Sequence, residues 1–252
     1  MRFVSAAEDV NAVDRADAVT TKAWPEFMLH DPVAKRNWRY LNELAPEFQF
    51  ALQDRMTGDW IANGSSIPVK WDQELDALPD EGWDWVFEKG VAQLKEGIEP
   101  NMLSALAIQI VPAYQGRSFS HLMVTLMREL ARAAGLTHLL APVRPNQKAA
   151  HPEMSMDQYI QKENNGLPAD AWLRVHVRQG ARIIRICSRA MTISGTVDEW
   201  KQWTGLCFKY TGRFPVPGAL VPVSIDLKAD RGIYIEPNVW VAHPLTRPAA
   251  NP

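Results

Sequence analysis

The chain lacks most of the features that would settle its class at a glance. Only 2 cysteines occur in 252 residues, Cys187 and Cys207, and they share no metal-ligand spacing. So few thiols exclude a disulfide scaffold and fit a reducing compartment, and the expectation is that both side chains are buried and chemically quiet. Net charge is lacking too. Lys and Arg number 27 against 29 Asp and Glu, a formal −2, so no overall field steers the chain toward nucleic acid or anionic lipid. No apolar run reaches the roughly 20 residues that span a bilayer. The opening MRFVSAAEDVNAVDRADAV scatters charge where an export signal needs an apolar stretch. A cytoplasmic protein with no nucleic-acid or membrane partner is expected. Internal repeats, low-complexity linkers and composition breaks are also missing, so residues 1–245 read as one domain and 246–252 as a frayed tail. His121, His138, His151 and Asp157 do not have ligand spacing, and no metal is expected.

What is present is a 46% apolar chain with 10 tryptophans, enough for a large core. Trp172, Trp200, Trp203 and Trp240 read either as core or as the lining of an acceptor cleft. Val10 to His30 carries Val13, Ala16, Val19 and Ala23 near helical spacing and reads as an opening helix pair. Phe48–Leu52 and Asp59–Ser65 read as an antiparallel hairpin, and residues 79–97 as a helix weakened by Gly90. Ser104–Pro112, SALAIQIVP, is a nearly continuous apolar run ended by proline, the pattern of a strand buried on both faces. From Ser118 onward Phe119, Leu122, Leu126, Leu130 and Ala133 recur at helical spacing, and Gly135 closes the helix. Thr137–Val143 reads as a second buried strand, parallel to the first through a right-handed crossover. Residues 169–179 read as a helix and 182–186 as a strand. Thr196–Trp203 reads as a helix with a Thr196/Glu199 capping box, and 219–227 and 232–235 as two late strands.

The turn Tyr114-Gln115-Gly116-Arg117-Ser118-Phe119-Ser120 joins buried strand to amphipathic helix, which brings free backbone N–H groups and a helix dipole to one point. Such a point attracts phosphate, small residues at 116, 118 and 120 let a ligand approach, and Arg117 adds charge. An ordinary loop in which Ser118 caps the helix is the alternative from these residues alone.

The run IQIVPAYQGRSFSHLMVTLMRELARAAGLTHLLAPV resembles the signature of the GNAT superfamily, in which a splayed strand ends in Q/R-x-x-G-x-G/A ahead of a helix that caps the coenzyme A pyrophosphate. The resemblance covers about forty residues. Gln115 takes the first motif position, while Ser118 and Ser120 stand where small residues, usually glycine or alanine, are found. It implies an α/β fold with a mixed, mostly antiparallel central sheet, a splayed pair of parallel strands and flanking helices. It also implies an acyl-coenzyme A as co-substrate, held at Gln115, Gly116, Arg117, Ser118, Phe119 and Ser120, with the backbone of Ile110 and Val111 pairing with the pantetheine arm. Ser118 is expected to turn at negative φ. Asn146 resembles the asparagine that follows the fifth strand. His176, ahead of Gly180 and Ala181, stands where the family carries a tyrosine that protonates the thiolate, and histidine can serve as acid or base there.

The strand over 104–112 offers no carboxylate to deprotonate an amine. Glu236 in YIEPNVW is the candidate base, with Asp226 or a held water as alternatives. The insertion 147–168 reads as either a substrate cover or surface decoration. The reading is acyl transfer from acyl-coenzyme A to an amine of a small-molecule acceptor, with homodimer formation left open. The alternatives are decarboxylation or transfer to a thiol or carrier protein, and a non-catalytic acyl-coenzyme A sensor.

Overall fold

The apolar runs of the sequence become strands of one mixed sheet. A computed structural model describes residues 1–21 and 24–245; the expected tail from Thr246 and Ala23 of the opening helix pair lie outside the described residues. The first half runs β1 (Arg2–Ser5), α1 (Ala6–Thr20), α2 (Pro32–Asn37), α3 (Arg39–Leu44), β2 (Gln49–Gln53), β3 (Trp60–Val69), α4 (Gly82–Lys95), β4 (Met102–Ile110), α5 (Phe119–Ala133) and β5 (His138–Val143). The second half runs α6 (Met156–Ile160), β6 (Glu163–Asn164), β7 (Leu167–Pro168), α7 (Ala171–Arg178), β8 (Arg182–Gly195), α8 (Val197–Thr204), β9 (Gly212–Phe214), β10 (Val223–Asp226) and β11 (Arg231–Pro244). The main sheet orders its strands β1-β2-β3-β4-β5-β11-β10-β9, with β8 also on β11.

The opening differs from its sequence reading. Residues 2–5 form a strand, registered Phe3 to Leu52 and Val4 to Ala51, and α1 starts at Ala6 instead of near Val10. The Ser5 N–H donates to Glu8 Oε2 at 3.3 Å. The helix then breaks at Asp9, with φ −153°, and the Asp9 carboxylate accepts from the Ala12 N–H at 3.0 Å. Two charged residues therefore supply the caps that let a weakly apolar segment turn helical.

The hairpin β2–β3, the helix α4 and the capping box at Thr196 all form where their residues indicate. Gly90, which weakens α4 by propensity, is required by packing. A Cβ there would lie 2.7 Å from Ile67 Cγ1 and 3.0 Å from the Pro68 carbonyl, so the helix approaches β3 closely enough to exclude any side chain. The insertion after β5 is ordered by buried anchors: Met156 and Tyr159 are buried, and the Tyr159 hydroxyl donates to Asp170 Oδ2 at 2.8 Å.

The feature that positions the site is the parting of β4 and β5. They pair in parallel only at Met102–His138, Leu103–Leu139 and Ser104–Leu140, while β4 continues beside β3 to Ile110. Around Leu106 the β3–β4 register slips, and the Leu106 carbonyl accepts from Trp83 Nε1 at 2.8 Å. A bulge bends its strand, and here it turns the upper half of β4 away from β5. One core of buried side chains, including Phe50, Leu103, Met123 and Met127, fills the α5 face; another, including Trp83, Val86, Phe87, Trp200, Tyr234 and Trp240, fills the α4 face.

Candidate active site

The connection from β4 to α5 starts with a 3₁₀ turn over Pro112–Tyr114, which proline favours by fixing φ. Two residues then take left-handed backbone: Gly116 at φ +74° and Ser118 at φ +64°. The second corrects the expectation of a negative φ. Serine occupies the conformation that glycine takes at no steric cost, at an expense of about 1 kcal/mol, and sparsely populated backbone of this kind concentrates at ligand-binding turns. The turn points the N–H groups of Gly116, Arg117, Ser118, Phe119 and Ser120 away from protein acceptors among the described residues. With the dipole of a 15-residue helix behind them, these donors make the kind of nest that attracts an anion. Arg117 is exposed beside it, its Cζ 5.6 Å from the Tyr114 ring centroid. Ser118→Gly is expected to raise the unfolding free energy by about 1 kcal/mol in urea titrations, because it removes the left-handed strain; an unchanged or lower value would contradict the strain argument.

Gln115 folds back, its Nε2 donating to the Ile110 carbonyl at 3.1 Å. Val111 is not available to a pantetheine arm: its N–H donates to the Ile61 carbonyl at 3.0 Å, and its carbonyl accepts from the Tyr114 N–H at 2.8 Å. Since backbone groups alternate in direction along an antiparallel pair, that bond fixes the rest. Residues 107, 109 and 111 face β3, and the polar groups of Ile108 and Ile110 face the gap beside β5. Of the expected pair, Val111 is thus engaged on both backbone groups, while Ile110, its carbonyl accepting from Gln115, faces the gap together with Ile108. Asn146 is exposed in the loop following β5.

His176 lies in α7, capped by Asp170, whose Oδ1 accepts from the Trp172 and Leu173 N–H groups. It is 1% exposed. Its Nδ1 is 2.9 Å from His243 Nε2, its ring packs edge-on against Trp172, and His176 Nε2 and His243 Nδ1 are buried without a partner among the described residues. Burial, reinforced by His243, holds the His176 pKa well below its ordinary value. Burial and Arg128 push His243 down to about 4. The pair is uncharged at neutral pH, so His176 cannot deliver a proton as an imidazolium; what it presents is a neutral, desolvated ring nitrogen.

Glu236 is fully buried and fully engaged. Arg144 Nε donates to both its oxygens, at 3.1 and 2.9 Å, and the Tyr234 hydroxyl donates to Oε2 at 2.6 Å. Asn238, oriented with its amide nitrogen toward the carboxylate, adds a donor 3.1 Å from Oε1. With both oxygens occupied by these donors and the side chain fully buried, the carboxylate is not presented to a substrate amine. This corrects the expectation that Glu236 is the base: it anchors Arg144. Asp226 is exposed and caps the Lys228 and Ala229 N–H groups of a turn. Trp200 and Trp240 are core, Trp203 stacks on His30, and Trp172 alone of the four touches His176.

The structure thus has a turn of unpartnered N–H groups before α5, a gap between β4 and β5, and an uncharged, buried histidine pair linking α7 to β11. Sequence reasoning missed His243 and Arg144. The first sits in an apolar strand with no motif. The second stands two residues from Asn146, and its partner is 92 residues away. Among the described residues no helix is long and apolar enough to cross a membrane.

No family model matches the chain. It is 31% identical over 249 residues to the arginine N-acetyltransferase avaD of Aspergillus versicolor, across 88% of this chain and 85% of that protein. Among solved structures it is similar to the loading GNATL domain of CurA from Lyngbya majuscula, at 15% identity, a TM-score of 0.64 and 97% of each chain. It is also similar to the GphF GNAT-like decarboxylase in complex with isobutyryl-CoA, at 15% identity and a TM-score of 0.55, over 97% of this chain and 98% of that one.

Proposed function

The chain belongs to the GNAT superfamily and moves an acyl group from acyl-coenzyme A to an amine, and we propose that the amine is carried by a small-molecule amino acid, with arginine the first acceptor to test. The observation that supports the donor side is the nest of five unpartnered N–H groups at the start of α5, beside strands that part after Ser104. In this reading the pyrophosphate occupies the nest, with Arg117 alongside. The pantetheine arm pairs with the backbone of Ile108 and Ile110, and the thioester points into the gap. Positioning and electrostatic capture then carry much of the rate. The site itself contributes His176 as an uncharged hydrogen-bonding group toward the reacting centre. Arginine is suggested by the relative that acetylates it.

Calorimetric titration with acetyl-, malonyl- and longer acyl-coenzyme A, followed by mass spectrometry of amino acids incubated with the preferred donor, tests this. Ser118→Glu places a carboxylate in the nest and is expected to weaken donor binding by about 100-fold or more, since a like charge facing a phosphate costs several kcal/mol. Donor binding unaffected by that change would move the pyrophosphate elsewhere. Carbon dioxide release from malonyl-coenzyme A with no acylated amine would replace amine transfer by decarboxylation.

A further inference from the structure

Arg144 immediately follows β5, at the end where that strand has parted from β4. Its guanidinium turns to the sheet face opposite α5, where it lies beside Glu236, Tyr234 and Gly218, with its Cζ 6.0 Å from the Trp24 ring centroid. One edge is fixed: Nε holds both oxygens of Glu236, and Nη2 donates to the Gly218 carbonyl. Burial alone would lower the pKa of this side chain, but Glu236 and Tyr234 together outweigh it and the net direction is upward, so the charge is permanent. Nη1 makes no hydrogen bond among the described residues, and the side chain keeps 16% of its surface open. Glu236 spreads its own charge over Arg144, Tyr234 and Asn238, so it does not saturate the guanidinium.

A guanidinium immobilised along one edge and open along the other is a preorganised receptor for a planar anion, because little side-chain entropy remains to be lost on binding. We infer that Arg144 receives the α-carboxylate of an amino-acid acceptor and thereby selects amino acids over their decarboxylated amines. This rests on the amine-transfer reading above and deepens it. The donor arm arrives from the α5 face, so an acceptor anchored at Arg144 approaches the thioester from the other side, with its amine leading.

L-arginine and agmatine, which differ by the carboxylate, provide the test by calorimetry on protein saturated with coenzyme A. Wild type is expected to bind L-arginine at least about tenfold more tightly, the effect of one charged hydrogen-bonded pair. Arg144→Lys, which cannot form the same fork, is expected to erase the difference between the two ligands. Equal affinities in wild type overturn the inference, and so does an Arg144→Lys protein that retains the full preference; the wild-type comparison stands whether or not the variant folds. Acetyl-coenzyme A is titrated first on the same sample. Its failure to bind counts against the donor site, whereas donor binding without a carboxylate preference counts against Arg144 alone.

Discussion

Asp84→Asn is expected to make the protein more stable than wild type at pH 8, by at least about 2 kcal/mol, and to leave the two nearly equal near pH 4. Asp31 is fully buried and caps α2, its Oδ1 accepting from the Ala34 N–H at 2.8 Å. Asp84 in α4 accepts from the Thr192 N–H of β8 through Oδ2 at 3.0 Å. The remaining oxygens, Asp31 Oδ2 and Asp84 Oδ1, are buried without other partners among the described residues, and the two carboxyls interact directly. Two carboxylates cannot both stay ionised there, so one holds a proton and donates it to the other. Burial, then the charge of Asp31, pushes Asp84 up to about 8; burial pushes Asp31 up to about 6. Arg36 pulls Asp31 down and Glu88 pushes Asp84 up, and these two also pair with each other at the surface. Because the folded values are raised, the unfolded chain releases protons first. The stabilisation is complete below the ordinary carboxyl range and is lost as pH rises from about 4 to about 8. The asparagine amide supplies the shared hydrogen permanently, which removes that loss. The depressed pKa values of His176 and His243 act in the opposite direction below about pH 6.5 but cancel in the difference between variant and wild type. Denaturant midpoints at four or five pH values decide the matter; a difference that stays constant with pH would mean that the two carboxyls do not share a proton.

Much of the fold is legible in the sequence because local signals agree with tertiary demand. The run SALAIQIVP becomes β4, the heptad-like apolar spacing from Phe119 becomes α5, and Thr196 with Glu199 forms its capping box. Elements whose existence depends on partners are not legible. β1 is four residues long and is a strand because Leu52 and Ala51 lie opposite it. β11 extends from Arg231 to Pro244, well past the expected 232–235, since it is clasped between β5 and β8 and crosses Pro237 through a register shift. Propensity alone would stop a strand at that proline.

The site divides along the same line. The turn at Gly116–Ser120 with its unpartnered N–H groups is a local object, so residue type and order indicate it. Its backbone is not, because nothing in the sequence says that Ser118 will accept positive φ. Which backbone groups of β4 face the gap depends on whether 107, 109 and 111 or their neighbours face β3, which the motif does not show, so the engagement of Val111 is not legible in it. Glu236 looks like a base in isolation, surrounded by tyrosine, asparagine and tryptophan. Arg144, far away in the chain, converts it into an anchor.

His176→Phe is expected to lower kcat by about 100-fold or more, within the range that a positioned proton-handling group supplies, while the affinity for acetyl-coenzyme A stays within about threefold because the nest is untouched. Phenylalanine fills the same buried space beside Trp172 and Leu173 but leaves His243 Nε2 without its partner, at a stability cost of about 1–3 kcal/mol that thermal unfolding registers separately. The pH profile distinguishes chemistry from packing. In the folded protein His176 stays uncharged well below pH 6.5, so kcat of wild type should not follow an imidazole titration between about pH 6 and about pH 8. An inflection near pH 6.5 that vanishes in His176→Phe would show that the ring is charged in the working range, and that burial beside His243 does not control it. Full activity in the variant would reduce the pair to a hydrogen-bonded strut between α7 and β11. A collapse of kcat with a flat wild-type profile instead assigns the work to a neutral nitrogen, which takes or shares a proton only while the reaction generates one.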